Sequence, residues 1–419
     1  MRDPVIRDNS KTKSTPGRKS IPARRLYFII FIAIAVSVWA IIYGCSKGEV
    51  IRLTRIAATG DLSSAQGMAV EKAVNYAVNP KALDRDIRQF QKNFDILMKN
   101  FRQAVEHVWG KKEVREPNPK EYVKYTQNYL CRAMVDFDSG LITVETIDQQ
   151  NPLQSLKNAI TTTLMTPDDP RAVDLYSAQT VKLGDTPFLY GEVTDADGQP
   201  IRWAWRAEQF ADHLIEKGLQ TRSIHNGQKV ESVRFVTLSM LADHHNIRAK
   251  KFRPLVENFA DRYNLSKNLL YAIMKTESDF NPYAVSQAPA FGLMQIVPAT
   301  AGRDVNIFLN KQGAPSDKFL FVPENNIQYG SVYLFLLSKK YFKEIEHPIS
   351  RQYCVIAAYN TGAGNVLRTF DRDRNRAPGR INGITPLEVY QTLRTQLPSD
   401  ETRRYIAKVI DAQKSFVNF

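Results

Sequence analysis

The stretch Ser266-Lys-Asn-Leu-Leu-Tyr-Ala-Ile-Met-Lys-Thr-Glu277 decides how the carboxyl-terminal half of this chain folds. It opens with serine, a residue that caps helices well, and Leu270, Ile273 and Met274 then recur at helical spacing. Glu277 follows on the same apolar stripe. We therefore predict a helix that carries a carboxylic acid on its buried side. Loss of solvation raises the pKa of such an acid towards neutrality, where it can hold a proton.

Helical periodicity continues over the rest of the region 246–419, and strand patterns are absent from it. We predict an all-α domain there, with linkers at 303–318 and 371–383 that carry glycine, proline and basic residues. The predicted helical runs are 248–263, 266–280, 324–341, 349–360, 364–370, 385–396 and 400–415.

The region 90–245 mixes helical and strand patterns and predicts an α+β accessory domain, joined to the amino terminus by a linker at 46–89. The first predicted helix runs from residue 90 to Trp109-Gly110. Two hairpins are predicted at 134–147 and at 188–201, because each alternating run contains a turn sequence. Further helices are predicted at 152–165 and 205–217, followed by a strand at 230–241.

Two tryptophans of this region, Trp203 and Trp205, allow two interpretations. Large aromatic side chains usually lie in the core, which is the expectation here. The alternative is that the rings are exposed and stack on a sugar.

The chain has 419 residues, enough for two or three domains, and a formal net charge of +14. Residues 1–44 contribute +6 of this charge, which leaves +8 for the remainder. Such a balance suits an acidic polymer or an anionic membrane surface. Nucleic acid is not the expected partner, because zinc-finger spacing, an RNP-like strand and a base-reading basic helix are all missing from the sequence.

An apolar run of 18 residues, 26–43, follows the basic tail and ends at Gly44-Cys45. A charged tail, an apolar segment and a small residue are typical of a secretory signal. The Gly-Cys junction resembles that of a bacterial lipoprotein, so the segment 1–45 is predicted to be a signal and Cys45 the lipidated residue. The alternative is an uncleaved single-span anchor. Both place the remainder in the cell envelope; Ser46 favours an outer-membrane lipoprotein facing the periplasm over an inner-membrane anchor.

The cysteines Cys45, Cys131 and Cys354 form neither a disulfide framework nor a metal-binding spacing. Cys354 lies in an apolar run and is predicted to be a small core residue. The pattern around Cys131 favours no particular role.

Chemistry-bearing residues recur in four blocks of the helical region. Glu277 offers a proton, and Gln295, next to a glycine-containing stretch, offers an amide that can bond a sugar N-acetyl group. Tyr359 and Asn360 lie where glycines let the backbone approach a ligand. Glu401 begins a block that supplies a further carboxylate, cations and an aromatic ring.

In order and spacing, these blocks resemble the soluble-lytic-transglycosylase-like family of the lysozyme-like superfamily. The segments 94–97, 107–110, 122–125 and 187–191 further resemble the accessory domain of a membrane-bound branch of that family. One departure is the loop 287–291, which carries proline and phenylalanine where the family usually has small or polar residues. The matching blocks are Glu277-Ser278…Asn281-Pro282…Ser286, Gly292-Leu-Met-Gln295, Ala358-Tyr-Asn360…Gly362…Gly364 and Glu401-Thr-Arg403…Tyr405.

The resemblance implies a lysozyme-like catalytic domain that cleaves the MurNAc–GlcNAc β-1,4 bond of peptidoglycan without water and leaves a 1,6-anhydro-MurNAc end. Glu277 would act as the single acid and then as the base. It also implies a glycan strand as partner and neither metal nor organic cofactor; protein partners stay open. Two rivals remain: a goose-type lysozyme-like hydrolase, and a non-catalytic wall-binding scaffold that keeps the cleft.

The resemblance also implies substrate-binding residues. Gln295 or Tyr359 would hold the N-acetyl group, and Ser286 and Asn360 would bond the sugar or its lactyl substituent. Three of these residues also allow a purely structural interpretation. Ser286 would cap a turn, Asn360 would satisfy carbonyl groups at a helix end, and Glu401 would be an acid in the first turn of a helix. The implied substrate-binding set is Ser286, Met294, Gln295, Tyr359, Asn360, Glu401 and Tyr405.

Overall fold

The computed structural model describes residues 80–227, 229–417 and 419. The predicted signal with Cys45, and most of the predicted linker, lie outside the described residues. Within the described ranges, no helix is both long and apolar enough to cross a membrane.

The chain divides after Phe90, and its second unit, Gln91–Phe419, is compact. The second unit begins with a sheet and its helices and continues with helices alone, which confirms the predicted fold class. The boundary predicted between residues 245 and 246 stays a prediction.

The first described helix, α1, spans Pro80–Trp109 and buries one side. Phe101 and Trp109 are almost fully enclosed, and the indole N–H of Trp109 donates a hydrogen bond of 2.6 Å to the carbonyl oxygen of Tyr129. Gly110 ends the helix with a φ of 84°, a value that glycine adopts without strain. The helix is therefore attached to the sheet at its carboxyl end.

The described residues contain one antiparallel sheet, with strand order β1-β2-β3-β5-β4. The predicted hairpin at 134–147 is confirmed, since Asp136 pairs with Leu141 across a turn that contains Gly140. Strand β4 was not predicted, because Ile224 is its single large apolar residue and alternation is lost. The strands are β1 (Glu121–Thr126), β2 (Cys131–Asp136), β3 (Leu141–Thr146), β4 (Gln220–Asn226) and β5 (Lys229–Ser239).

The second predicted hairpin, at 188–201, is wrong as to its strands. The predicted turn is present: the side chain of Asp195 accepts hydrogen bonds from the N–H groups of Asp197 and Gln199. The flanking residues instead form successive turns, such as the bond from the Glu192 N–H to the Leu189 carbonyl. Side-chain and turn bonding satisfy the backbone here, so no ladder is needed.

Helices α2 (Pro152–Leu164) and α3 (Ala204–Gly218) confirm two predicted helices and pack against each other and the sheet. The expected burial of the two tryptophans is wrong, because Trp203 is 55% exposed and Trp205 52% exposed. Helix α3 buries Phe210 and its small neighbours instead, one turn further on. Its first turn therefore carries both indoles into solvent.

The carboxyl-terminal part is helical, as predicted. The run predicted at 248–263 is two helices, because Pro254 lacks an N–H group and starts a new one. The two predicted linkers contain short helices. The helices are α4 (His244–Lys251), α5 (Arg253–Tyr263), α6 (Lys267–Ser278), α7 (Arg303–Phe308), α8 (Asp317–Leu320), α9 (Pro323–Leu336), α10 (Pro348–Thr361), α11 (Ala363–Phe370), α12 (Ala377–Asn382), α13 (Pro386–Gln396) and α14 (Asp400–Ser415).

The two described cysteines, Cys131 and Cys354, are free thiols and both are buried. The prediction that Cys354 is a core residue is confirmed.

Candidate active site

Helix α6 places Glu277 as its sequence predicted. The hydroxyl oxygen of Ser266 accepts the N–H of Leu269 at the first turn, and Leu270 and Ile273 are fully buried. Glu277 itself is half-buried at the last turn. The apolar side of helix α6 therefore lies in the core, while the side chain of Glu277 stays partly exposed, within reach of a ligand.

The carboxyl group of Glu277 has a pKa raised from 4.5 to about 7. Burial is the main cause, and the nearby charge of Glu401 acts in the same direction. A hydrogen bond from Tyr405 and the charge of Lys120 act against it. Near neutral pH the group is therefore divided between its acid and its carboxylate forms.

Tyr405 lies on α14 and donates a hydrogen bond of 2.6 Å from its hydroxyl to Oε1 of Glu277. Burial, followed by the proximity of Glu277, raises the pKa of Tyr405 well above its usual value, so the phenol keeps its proton. Helix α14 packs against α6, which fixes the donor opposite the acid. The structure thus assigns Tyr405 an orienting contact that the sequence did not reveal.

A tight loop after α6 carries Gln295. Its backbone φ is 47°, and its Nε2 donates to the carbonyl oxygens of Gly292 at 3.0 Å and Ala284 at 3.1 Å. Its Oε1 is buried and has no protein partner among the described residues. This amide is therefore fixed in place, and its oxygen is an acceptor that no donor among the described residues satisfies.

Asn326 holds the same loop from α9, a role that sequence reasoning missed. Its side chain is fully buried, accepts the N–H of Met294 at 2.7 Å and donates to the carbonyl oxygens of Phe291 and Leu320. The asparagine stands on an otherwise ordinary helix, so the sequence carried no local signal for it. Its three bonds fix the backbone on which Gln295 stands.

The predicted contacts Met294 and Tyr359 meet each other. The hydroxyl of Tyr359, on α10, donates a bond of 2.8 Å to the carbonyl oxygen of Met294. The side chain of Met294 is buried against Gly330. A Cβ atom at position 330 would clash with the Met294 side chain. Tyr359 is near enough to Glu277 for the carboxylate charge to help raise its pKa, although burial is the larger cause.

The remaining predicted contacts have protein partners. The hydroxyl of Ser286 donates to the carbonyl oxygen of Ala288 and accepts the N–H of Ala290, which braces its own loop. The Oδ1 atom of Asn360 accepts a bond of 2.6 Å from the hydroxyl of Thr402. Glu401 is exposed on the first turn of α14. These contacts fix the rim of the site.

A cavity of about 200 Å³ lies beside Ser286. Phe94, Met98 and Arg102 of helix α1 line this cavity together with Ser286 and Gln287. The α+β part therefore contributes to the surface next to the loop that carries Ser286.

Asp279 ends helix α6, and basic side chains surround its carboxylate. The sequence alone did not identify these side chains as its partners. Its carboxylate lies 2.8 Å from Nδ1 of His245, 3.3 Å from the ammonium of Lys120 and 3.5 Å from that of Lys275. Burial raises its pKa, but the bond from His245 and the charges of Lys275 and Lys120 outweigh burial and leave the pKa below its usual value. These contacts with Asp279 fix the end of helix α6, two residues after Glu277.

Arg248 on α4 also holds the end of helix α6. Its Nη1 donates a bond of 2.6 Å to the carbonyl oxygen of Asp279, and its Nε donates to Glu192 at 2.7 Å. All three residues are buried. The end of the Glu277 helix is thereby joined to the α+β part through paired charges.

A metal site is not formed by the described residues: they contain no group of three His, Cys, Asp or Glu side chains that could hold an ion.

Comparison with known proteins assigns the helical part to a class. A family model described as the transglycosylase SLT domain matches residues 254–382, a range that includes Glu277, Gln295 and Tyr359. Fold and site thus define a lytic transglycosylase catalytic domain. A second model, described as the membrane-bound lytic murein transglycosylase C N-terminal domain, matches residues 84–251.

Proteins named membrane-bound lytic murein transglycosylase C in Yersinia pestis and Yersinia pseudotuberculosis are each 49% identical to this chain over 324 residues. The match covers 77% of this chain and 89% of each relative. This chain belongs to the membrane-bound lytic murein transglycosylase C family, and it is a peptidoglycan-cleaving lyase.

A solved structure of an inactive mutant of the lytic transglycosylase Slt from Pseudomonas aeruginosa is also similar. It is 26% identical over a region that covers 38% of this chain and 23% of that chain, with a TM-score of 0.31. The family assignment does not depend on it.

Proposed function

We propose that this protein cleaves the β-1,4 bond between MurNAc and GlcNAc in peptidoglycan without water, with Glu277 as acid and then as base. The environment of Glu277 carries the proposal. Its carboxyl group has a pKa of about 7, so both protonation states are populated near neutral pH. A group that gives one proton and then takes up another needs that balance.

The proposed reaction uses a single carboxyl group twice. Glu277 protonates the glycosidic oxygen while its bond to C1 of MurNAc breaks, and the oxygen of the N-acetyl group bonds to C1. The carboxylate then takes the proton of the C6 hydroxyl, whose oxygen attacks C1, displaces the acetamido oxygen and closes the 1,6-anhydro ring. No water is consumed and the acid is regenerated.

The state of the neighbouring carboxylates supports a mechanism with one acid. Asp279 follows Glu277 closely, but its carboxylate bonds His245 and lies beside Lys275. Glu401 is exposed on a helix first turn, where the helix dipole stabilises an acid. A two-carboxylate glycosidase requires a second group as nucleophile or as water-activating base. Because the carboxylate of Asp279 already bonds His245, its geometry argues against Asp279 as nucleophile or as water-activating base.

Gln295 is proposed to receive the acetamido group. Its Oε1 is a buried acceptor without a protein donor among the described residues, and the acetamido N–H of the sugar is a donor of matching kind. We expect Gln295→Ala to raise KM about tenfold, the effect of one hydrogen bond to a buried partner. An unchanged KM would remove Gln295 from the substrate site.

The other predicted contacts are proposed to act at the rim. The amide oxygen of Asn360 is already bonded to Thr402, which orients its N–H groups for a sugar hydroxyl. The oxygens of Ser286 and Tyr359 keep lone pairs that can accept from the substrate. Met294 contributes through the backbone oxygen that holds Tyr359.

Digestion of purified sacculi by the full chain tests the proposal. Anhydro products are lighter by one water than hydrolytic ones, so mass spectrometry separates this reaction from a goose-type hydrolase. We expect anhydro products from the wild type and none from Glu277→Gln, which should still bind sacculi. Glu257→Gln is the matched control, because that carboxylate is 47% exposed on α5.

Three results would contradict the proposal. Hydrolytic masses from the wild type would replace it by a muramidase mechanism. Clearance of sacculi by Glu277→Gln at the wild-type rate would remove the acid from the reaction, and clearance by neither protein would favour a binding scaffold.

We further propose that the amino-terminal segment holds the protein at a membrane of the cell envelope, as an outer-membrane lipoprotein facing the periplasm. The signal-like sequence before Cys45 supports this, as does the name membrane-bound given to the relatives. A tether raises the effective concentration of an enzyme at a solid wall. Fatty-acid labelling of the wild type and of Cys45→Ser tests the lipid; membrane association without label would favour an uncleaved anchor.

A further inference from the structure

An exposed aromatic cluster lies on the α+β part, at the start of α3. We call Tyr190, Arg202, Trp203, Trp205 and Arg206 the tryptophan patch. Trp203 is 55% exposed and Trp205 52% exposed. Leaving two indoles in water forgoes burial that is worth roughly 25 cal/mol per Å² of apolar surface, so an exposed pair marks a binding surface.

The patch is held in place by cations. The guanidinium carbon of Arg206 lies 4.8 Å from the centre of the Trp205 ring, and that of Arg202 lies 5.3 Å from the Trp203 ring. Arg206 is in turn fixed by an ion pair with Asp195, whose side chain is mostly buried. A cation over one ring face orients an indole and leaves its remaining surface for a ligand.

Arg202 is the charge that a ligand can use. It lies 5.3 Å from the Trp203 ring and 5.8 Å from the Tyr190 ring, and no carboxylate among the described residues pairs with it. A guanidinium in that setting offers donors to a carboxylate of the ligand. The patch therefore combines apolar ring surface with one available cation.

We infer that the tryptophan patch is a second glycan-binding site, for a β-linked amino-sugar strand that carries carboxylates. The C–H face of a sugar ring is apolar and flat enough to cover an indole, while its hydroxyls stay in water. Two indoles separated by one residue offer contact to more than one sugar. Arg202 pairs with an acidic substituent of the strand.

A membrane surface is the competing occupant, because tryptophan also favours lipid headgroup regions. The surroundings of the patch argue against it. Asp197, on the adjoining turn, and Glu208, on α3, are exposed carboxylates close to the two indoles in the sequence. Carboxylates are repelled by anionic lipid, whereas they accept hydrogen bonds from sugar hydroxyls.

The patch is connected to the catalytic loop. Tyr190 belongs to the segment 187–191, and the ring of Phe188 in that segment packs 5.4 Å from the ring of Tyr283. Tyr283 follows α6 closely, and its hydroxyl donates to the carbonyl oxygen of Pro167 in the α+β part. A strand held at the patch therefore stays attached to the compact unit that carries Glu277.

The test is binding of the full chain, solubilised in mild detergent, to purified sacculi. We expect the double variant Trp203→Ala/Trp205→Ala to bind about thirtyfold more weakly, since two aromatic contacts are lost and each is worth about fivefold in affinity. Arg202→Gln should bind at an intermediate level. Leu387→Ala, at a 63% exposed position on α13, is the control and should bind like the wild type.

Cleavage of a short soluble glycan fragment is measured on the same proteins, and the double variant should match the wild type. The inference rests on the proposed function only for the identity of the strand. Absent cleavage by the wild type would overturn that function, whereas the binding comparison would still decide the patch. The variant Trp203→Phe/Trp205→Phe, which keeps aromatic rings, should retain most binding and guards against a folding defect in the alanine protein.

Two outcomes would overturn the inference. One is equal binding of sacculi by the double variant and the wild type. The other is a double variant that keeps its affinity for sacculi but loses affinity for vesicles containing phosphatidylglycerol, which would make the patch a membrane contact.

Discussion

The hydroxyl of Tyr405 lies 2.6 Å from Oε1 of Glu277, across 128 positions of sequence. The bond stabilises the carboxylate and so lowers the pKa that burial raises. Because the phenol stays protonated, its hydrogen points at the acid in both of the proposed steps. Tyr405 thus sets the orientation of the Glu277 carboxyl group and moderates its pKa.

Tyr405→Phe should move the activity profile towards higher pH. Without the bond, the pKa of Glu277 rises, so the acid form persists further into the alkaline range. We expect kcat/KM at neutral pH to fall about tenfold, because a bond to a charged group is lost. Tyr390→Phe, on α13, is the control and should leave the profile unchanged. A profile of Tyr405→Phe that moves to lower pH would contradict this assignment.

Glu277→Gln should make the fold more stable at alkaline pH. The folded pKa of Glu277 lies above the unfolded value of 4.5, so its favourable contribution is complete below that value and is lost as pH rises through about 7. At pH values above 7 the wild type contains a poorly solvated charge that the amide avoids. We expect a gain on the order of 1 to 3 kcal/mol there.

Denaturant unfolding of both proteins at acidic and alkaline pH measures this effect. The difference in the free energy of unfolding between Glu277→Gln and wild type should shrink below the unfolded pKa. An equal difference at both pH values would show that the Glu277 carboxyl group is well solvated.

Asp279→Asn should destabilise the protein strongly at neutral pH. The folded pKa of Asp279 is lowered, so its contribution is present above the usual value of about 3.8 and is lost as pH falls through the folded pKa. The substitution leaves His245, Lys120 and Lys275 facing a neutral amide. We expect a loss of about 3 kcal/mol, as for other broken buried ion pairs.

The control for Asp279→Asn is Asp411→Asn, which removes an exposed pair with Lys414 and should cost under about 1 kcal/mol. Thermal unfolding across the acidic range checks the sign. The gap between Asp279→Asn and wild type should narrow as the solution is acidified.

Gly292→Ala should unfold or severely destabilise the catalytic loop. Gly292 has a φ of 73°, and an added Cβ would lie 2.4 Å from Nδ2 of Asn326. The substitution therefore combines backbone strain with a clash against the side chain that holds the loop. Gly313→Ala has the same kind of φ in open space and should show the backbone cost alone, about 1 kcal/mol. Equal melting temperatures for the two variants would contradict the argument.

Much of the fold was predictable because the sequence patterns of its helices and strands depend on residues close together in the chain. The hairpin at 134–147 follows from alternation around Gly140, and the helix that carries Glu277 follows from its apolar stripe. The hairpin predicted at 188–201 failed because side-chain bonds of Asp195 competed with strand pairing. The tryptophans were misplaced because composition favours burial, while α3 buries a different turn.

The sequence by itself determined that a helix ends in an acid on its apolar side, because periodicity and capping depend on residues within a few turns of one another. Only the tertiary structure decided which groups meet that acid and its helix. Tyr405 and Asn326 lie on distant elements, as do the cations Lys120 and Arg248 near Asp279, and the free energy that places them comes from packing between elements. Such packing leaves no periodic trace in the chain.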